Sequence, residues 1–349
     1  MPTSLADNLP PAIAVPLVTV IIPNYNHARY LPRRIESVLS QTVSDMEVLI
    51  LDDCSPDQSR TVIEGYARQD ARIRTIYNEQ NSGSTFKQWN KGLALARGKY
   101  VWIAESDDYA APTLLATLLA RLEANPALGL AYCDSWIVDE KDKQLGTYEY
   151  LPGEPADERW QTDFEENGLT TIREYLSYRN VIPNASAAVL RRRVLEQVGP
   201  ADVSLRLMGD WLFWGKVLAV SDMAFVAQPL NYFRKHSNNV RSASLLNGVA
   251  LLEETHLLRA MLGYGAPNPL LLEKKITFIL RNWYLSWAYN DVPADRYRQM
   301  RHNMQVVVPG FQGRFARELG KFLVSNRLGG LRQLIGDGLI YPWLKRKRA

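Results

Sequence analysis

From Val18 to Cys133 the chain alternates short runs of β-branched and aliphatic residues with stretches of helical spacing, and that alternation restricts the fold more than any other feature. Residues 18–22, 47–51, 73–77, 100–104 and 130–133 read as buried strands, each too short to be a helix. Between them, Leu31, Ile35, Val38 and Leu39 share one helical face. Leu114, Leu115, Leu118, Leu119 and Leu122 share another, with Pro112 near the helix start. Asn81-Ser82-Gly83 marks a turn before a helix over 89–96, which Gly98 closes. Strands separated by helices cannot pair as hairpins, so the expected fold class is α/β: a mostly parallel, Rossmann-like sheet flanked by helices.

Composition agrees with a folded enzyme-sized chain and excludes several alternatives. The 349 residues are 46% hydrophobic and 22% charged, which fits neither disorder nor a fibrous repeat. Two cysteines, Cys54 and Cys133, cannot form a disulfide framework, and no Cys/His spacing suits zinc. No run of about 18 apolar residues is present, and the first 16 residues lack the basic start of a signal peptide. A cytoplasmic protein is expected. Nine Arg/Lys and two acids fall in 311–349, ending in Lys345-Arg346-Lys347-Arg348 behind Leu339, Ile340, Tyr341, Trp343 and Leu344. This tail reads either as peripheral contact with an anionic membrane or as a solvated terminus. Nothing in the charge distribution calls for a nucleic-acid partner.

Later segments differ in character. Residues 139–166 hold ten acids, three bases and two prolines, and read as an exposed excursion or flexible insertion. Helical signals return at 172–178 and 191–198, with a strand signal at 185–190. Beyond about Leu245 amphipathic helices predominate, suggesting a separate, mainly helical region.

Chemistry is concentrated at strand ends. Pro23-Asn24-Tyr25-Asn26, Asp52-Asp53 and Glu105-Ser106-Asp107-Asp108 each follow a strand, at the edge where open α/β sheets bind ligands. Adjacent carboxylates there repel unless a cation balances them, and a divalent metal carrying a diphosphate would do so. The glycine fingerprints of dinucleotide and P-loop folds are missing after the first strand, where Pro-Asn-Tyr-Asn-His stands instead.

In this order, the three motifs resemble glycosyltransferase family 2 over roughly 18–241. The resemblance implies a GT-A fold, a UDP-, dTDP- or GDP-linked sugar donor, a Mn2+ or Mg2+ cofactor and inversion at the anomeric carbon. It places Pro23 and Tyr25 at the nucleotide, with Asn26 shaping the turn. Asp53 is implied at the base with Asp52 supporting it, Asp107 at the ribose, Asp108 on the metal and Asn90 near the diphosphate. The family commonly has Asp at the position of Glu105, Arg at that of Trp89, and a small Gly or Asn at that of Cys54. Lys87 and Lys91 either restore the missing positive charge or lie on a solvated helix face.

Gly209-Asp210-Trp211-Leu212-Phe213-Trp214 resembles the family segment that carries the catalytic base. Asp210 is therefore the expected base, although an Asp before an aromatic helix also suits an N-cap. The stretch 232–241 resembles the family's late flexible loop. There His236 is a candidate metal ligand, and Arg234 and Arg241 are candidates for the leaving diphosphate. His27, His256 and His302 read as bystanders. Trp160, Trp283 and Trp287 suit either sugar stacking or packing.

The expected organisation is an N-terminal extension (1–16), a catalytic domain (17–244, its nucleotide half 17–135 and acceptor half 136–244), and a helical C-terminal region with a basic tail (245–349). The expected activity is inverting transfer to a glycan or lipid-linked acceptor during surface polysaccharide assembly. The alternatives are a catalytically silent nucleotide-sugar-binding module and a nucleotidyltransferase. The latter is disfavoured because it needs a glycine-rich basic loop after the first strand.

Overall fold

The computed structural model describes residues 15–150, 155–235 and 247–335. Its sheet grows outward from β1 (Val18–Asn24), which is buried along its whole length. On one side β1 pairs in parallel with β2 (Met46–Asp52), and β2 with β3 (Ile73–Tyr77); on the other it pairs in parallel with β4 (Tyr100–Ile103). Helices α1 (Leu31–Leu39), α2 (Ser59–Ala67) and α3 (Thr85–Leu95) make the crossovers that parallel pairing requires. Strand alternation divides the core between two faces. Ile21, Leu49, Leu51, Val101 and Ile103 point to one, and Val20, Ile22, Val48, Ile50 and Trp102 to the other.

Beyond β4 the sheet becomes mixed. The short β5 (Tyr109–Ala110) leads into α4 (Leu114–Ala124) and then β6 (Leu128–Val138), with β7 (Gln144–Thr147) folding back on β6. Next come β8 (Phe164–Glu166) and α5 (Gly168–Thr171), which runs into a π-turn at Ile172–Leu176. Strand β9 (Ala188–Arg191) lies antiparallel between β4 and β6. After α6 (Arg192–Val198) and α7 (Gly209–Leu218), β10 (Asp222–Arg234) pairs in parallel with β6. The strand order is β3-β2-β1-β4-β9-β6-β10-β5. Thus the expected parallel sheet holds for the first four strands, and the α/β class holds throughout.

Two expectations need correction. The acidic stretch 139–166 is not simply an exposed excursion, since its aromatic residues join the core. Trp160 stacks on Tyr150 at 5.2 Å between ring centres and donates its indole N–H to the Tyr132 hydroxyl at 2.8 Å. Charge counting missed this because a few buried rings anchor a segment whose other side chains face water. Tyr232, Phe233 and Arg234, read as the start of a flexible loop, instead finish β10; Tyr232 pairs with Tyr109 across to β5 and stacks on it at 4.3 Å.

The C-terminal helices are α8 (Val249–Leu262), α9 (Pro269–Tyr289), α10 (Ala294–Val307) and α11 (Phe311–Arg332). A cluster of Leu258, Ile279, Trp283, Met300 and Met304 holds them together. They are not packed separately, however: Leu257 and Met261 of α8 enter the same core as Trp211 and Phe213. Trp283 is buried, whereas Trp287 is 44% exposed. No helix among the described residues is long and apolar enough to cross a membrane. Residues 336–349, including the closing basic cluster, lie outside the described residues.

Candidate active site

The register that aligns Asn24 with Asp52 brings the ends of β1 and β2 together. Asn24 donates to Asp52 Oδ1 at 2.7 Å, and Ser55 donates to the same carboxylate through both its hydroxyl and its backbone. Asp52 is therefore consumed in joining two strand ends. The chain can turn away at once because Asn26 and Cys54 adopt left-handed backbone, φ 60° and 59°. The second value explains why a Gly or Asn suits the position of Cys54. Pro23 is buried in β1, and Tyr25 stands in the turn 46% exposed.

Asp53 sits in a ring of donors. Asn78, the Ser82 backbone and Gln88 donate to Oδ1 at 2.6, 2.9 and 2.9 Å, while the Ser82 hydroxyl donates to Oδ2 at 2.7 Å. Oδ2 thus keeps acceptor capacity for a ligand N–H, whereas Oδ1 is saturated. Lys87 bonds the Ser82 carbonyl and Lys91 the Asn78 side chain, so these two lysines brace the ring. Asn90 spends both ends of its amide on Ala201, accepting from its N–H at 2.8 Å and donating to its carbonyl at 2.9 Å.

The acidic turn after β4 is held from three sides. Trp89 of α3 donates its indole N–H to Glu105 Oε1 at 2.7 Å. Two of the three departures from the family pattern, Trp89 and Glu105, are therefore a single interaction. Arg34 of α1, fully buried, donates to the Glu105 carbonyl at 2.8 Å. His27 meets the Ser106 hydroxyl at 2.8 Å, which corrects its reading as a bystander. Arg234 at the end of β10 completes the enclosure: its backbone N–H bonds Asp108 Oδ1 at 2.9 Å, and its guanidinium bonds the carbonyls of Asp107 and Asp139. Because that guanidinium also pairs with Asp142, Arg234 orders the turn rather than facing a diphosphate. Asn184 donates to Asp108 Oδ2 at 2.8 Å.

This enclosure concentrates negative charge. Burial, then repulsion from Asp107, pushes the Glu105 carboxyl up to about 8. The same causes push Asp108 up to about 6, with Arg34 opposing them. Burial in turn depresses Arg34 to about 10, against the pull of Asp108, Asp107 and Glu105. No group of three or more His, Cys, Asp or Glu arranged to hold a metal occurs among the described residues. His236 and Arg241 lie outside the described residues.

Asp210 is in the first turn of α7, inside the helix rather than at its N-cap, which is Met208. The capping alternative is thereby corrected: Asp210 lies past the N-cap position, and the turn before the helix is held by another acid. Glu253 of α8 accepts the backbone N–H groups of Arg206, Leu207 and Met208 at 2.7, 3.0 and 2.9 Å. Asp210 receives the Asn180 side chain at 3.3 Å. It lines a cavity of about 440 Å3 together with Tyr178, Asn180, Trp211, Lys275 and Phe278.

Comparison with known proteins agrees with this architecture. The model of Glycosyl transferase family 2 matches residues 19–199. The chain belongs to that family. An uncharacterized glycosyltransferase of Nostoc sp. is 32% identical over 231 residues, covering 65% of this chain and 67% of the relative. The uncharacterized glycosyltransferase EpsJ of Bacillus subtilis is 38% identical over 111 residues, about a third of each chain (32% and 32%). Among solved structures, S. aureus TarS 1–349 in complex with UDP superposes with a TM-score of 0.59 at 17% identity, covering 95% of this chain and 92% of TarS. The mannosyltransferase PcManGT of Pyrobaculum calidifontis, in complex with GDP-Man and Mn2+, gives 0.52 at 15% identity, covering 88% and 85%. At such identities the likeness establishes the shared fold.

Sequence reasoning missed Arg34, Asn180, Asn184 and Glu253. Arg34 carried a readable signal, an Arg within the apolar face of Leu31, Ile35 and Val38, where a buried cation needs acidic neighbours. Asn184 carried no comparable local signal. Its role depends on a contact 76 residues away in the chain.

Proposed function

We propose that the chain is an inverting glycosyltransferase that moves a sugar from a nucleotide diphosphate to an acceptor hydroxyl. One observation carries this reading. Asn180 and Asn184, separated by no more than about 14 Å of chain, hold the two carboxylates the reaction needs: Asp210 and Asp108. Asp210, beside a cavity, takes the proton from the acceptor hydroxyl as its oxygen attacks the anomeric carbon opposite the departing diphosphate. The ring around Asp53 would read the base through Oδ2, with Tyr25 beside it and Asp107 at the ribose. TarS with UDP and PcManGT with GDP-Man support a nucleotide-sugar ligand but leave UDP-, dTDP- and GDP-sugars open.

The donor set suits a divalent cation. Asp108 has one donor on each oxygen, retains lone pairs, and is held above the usual carboxylate range by burial and then by the neighbouring charge of Asp107. Magnesium-type sites commonly use one or two carboxylates plus substrate phosphates. Asp108 would hold the ion, joined by His236. When bound, the cation neutralises charge on the leaving diphosphate. The acceptor would be a glycan or lipid-linked glycan of a surface polysaccharide, reached at the cytoplasmic face of the membrane with help from the basic tail.

A thermal-shift panel of UDP-, dTDP- and GDP-sugars, each with and without Mn2+, tests the proposal. One donor should raise the melting temperature, with an increment from Mn2+ that Asp108→Asn removes. Asp210→Asn should keep that shift while slowing transfer and donor hydrolysis by about 10² to 10⁴-fold. A panel with no shift, or Asp210→Asn turnover at the parental rate, would refute the reading.

A further inference from the structure

We propose that the cavity in front of Asp210 is an acceptor subsite for an uncharged pyranose, and that the C-terminal helices form one wall of it. This rests on the transferase reading and adds both the ligand class and the part played by α8 and α9. The catalytic half contributes Tyr178, Arg179, Asn180 and Trp211 to the lining; α8 contributes Glu254, and α9 contributes Lys275 and Phe278. The opening is thus closed by residues more than 40 positions beyond the base.

The wall is anchored to the catalytic half. Glu253, next to Glu254, binds three backbone N–H groups of the turn preceding α7. Asn268, the N-cap of α9, donates to Glu174 at 2.8 Å through its side chain and to the Arg173 carbonyl at 3.0 Å through its backbone. These contacts register Glu254 and Lys275 against Asp210.

Lys275 and Glu254 form an ion pair with side chains only 5% and 15% exposed. A pair enclosed this far contributes little net stability, because desolvation offsets the Coulomb attraction. At a cavity wall it has a better use: an ammonium donates to a sugar hydroxyl and the neighbouring carboxylate accepts from it. The Lys275 ammonium also lies 4.7 Å from the centre of the Trp211 ring, which fixes its direction.

Charge and shape select the ligand class. Arg179 and Lys275 balance Asp210 and Glu254, so the lining has no net charge to attract a phosphate or a uronic acid. Tyr148, Tyr178, Trp211 and Phe278 add aromatic surface for the C–H face of a sugar ring. A volume of about 440 Å3 lies in the range that encloses small-molecule ligands.

The test is saturation-transfer NMR on the full chain with methyl β-glucoside, methyl β-N-acetylglucosaminide and methyl β-glucuronide as probes. It needs no turnover, so it reads the cavity separately from the transferase proposal. At least one neutral glycoside should bind, and more tightly than the glucuronide. Lys275→Met and Phe278→Ala should each weaken it about tenfold, the loss of one charge-assisted hydrogen bond or ring contact. Lys275→Arg should recover part of the loss, and Leu270→Ala, at an exposed position of α9 outside the lining, should change nothing. Far-UV circular dichroism establishes that each variant is folded; Phe278 is 51% exposed, so its variant keeps the test open if Lys275→Met does not fold. Stronger binding of the glucuronide, binding of none of the probes, or equal binding by parent, Lys275→Met and Phe278→Ala would overturn the proposal. Loss of the donor thermal shift in the parent, with glycoside binding intact, would instead count against the transferase reading alone.

Discussion

Replacing Glu105 with Gln should remove a large pH dependence of stability in the metal-free protein. The Glu105 carboxyl lies near 4.5 when unfolded and is pushed up to about 8 in the fold by burial and by Asp107. Between these values the folded state retains a proton that the unfolded state has released. Stability from this group is therefore full below the unfolded pKa and is lost as pH rises through the folded one. The maximum slope is about 1.4 kcal/mol per pH unit, and the full shift corresponds to about 5 kcal/mol. Glu105 keeps some contact with solvent, so about 2–4 kcal/mol is the expected loss from pH 5 to pH 8. Gln is nearly isosteric, and its carbonyl can accept the Trp89 indole N–H that Glu105 accepts now. Urea unfolding in EDTA at pH 5, 6, 7 and 8 should show parent and Glu105→Gln nearly equal at pH 5. The variant should become progressively more stable above it. Asp108 and Asp134, both raised to about 6, impose their own pH dependence on both proteins, so the difference between the two curves reports Glu105 together with its repulsion from Asp108. A difference that stays constant to about 0.5 kcal/mol across the range would refute the argument.

Three other outcomes follow from particular backbone and side-chain contacts. Glu253→Ala strips the acceptor from three backbone N–H groups; since Arg206 is exposed and Met208 buried, water replaces only part of it, and the urea midpoint should fall by the equivalent of about 2–4 kcal/mol. Cys54→Gly relieves a left-handed backbone at φ 59° and should stabilise by up to about 1 kcal/mol in the same assay; a destabilisation would mean the thiol contact to the Glu79 carbonyl outweighs the strain. Gly168→Ala would place a Cβ 2.1 Å from the carbonyl oxygens of Leu218 and Ser221, both backbone, and should cost more than about 3 kcal/mol or abolish soluble expression.

How much of this was legible beforehand depended on the range of the interaction. Strand runs and helix faces follow from side-chain periodicity within a dozen residues, so β1 to β4 and α1 lie close to where the spacing placed them. The acidic strand ends were equally legible, because parallel pairing through crossover helices must bring successive strand ends to one edge. The long β10 was not, since Pro229 and three register shifts break its pattern, and its pairing with β6 spans about a hundred residues. Lone chemistry-bearing residues divide in the same way. Asp53 and Asp108 stand in local motifs, whereas the amides of Asn180 and Asn184 gain a role only through partners 30 and 76 positions away.

By itself, then, the sequence determined an α/β sheet with its carboxylates gathered at one edge, because local patterning and chain connectivity suffice for that. Only the tertiary structure decided which of those groups are spent on the fold. Asp52 is bonded to Asn24 and Ser55, and Arg234, a candidate for the leaving diphosphate, is bonded to the acidic turn after β4. It alone made a single contact of the unusual Trp89 and Glu105, and it alone brought Lys275 of the C-terminal helices to the cavity of Asp210. A hydrogen bond or ion pair depends on distances of a few ångströms between residues remote in the chain, and those distances exist only after the sheet and helices have packed.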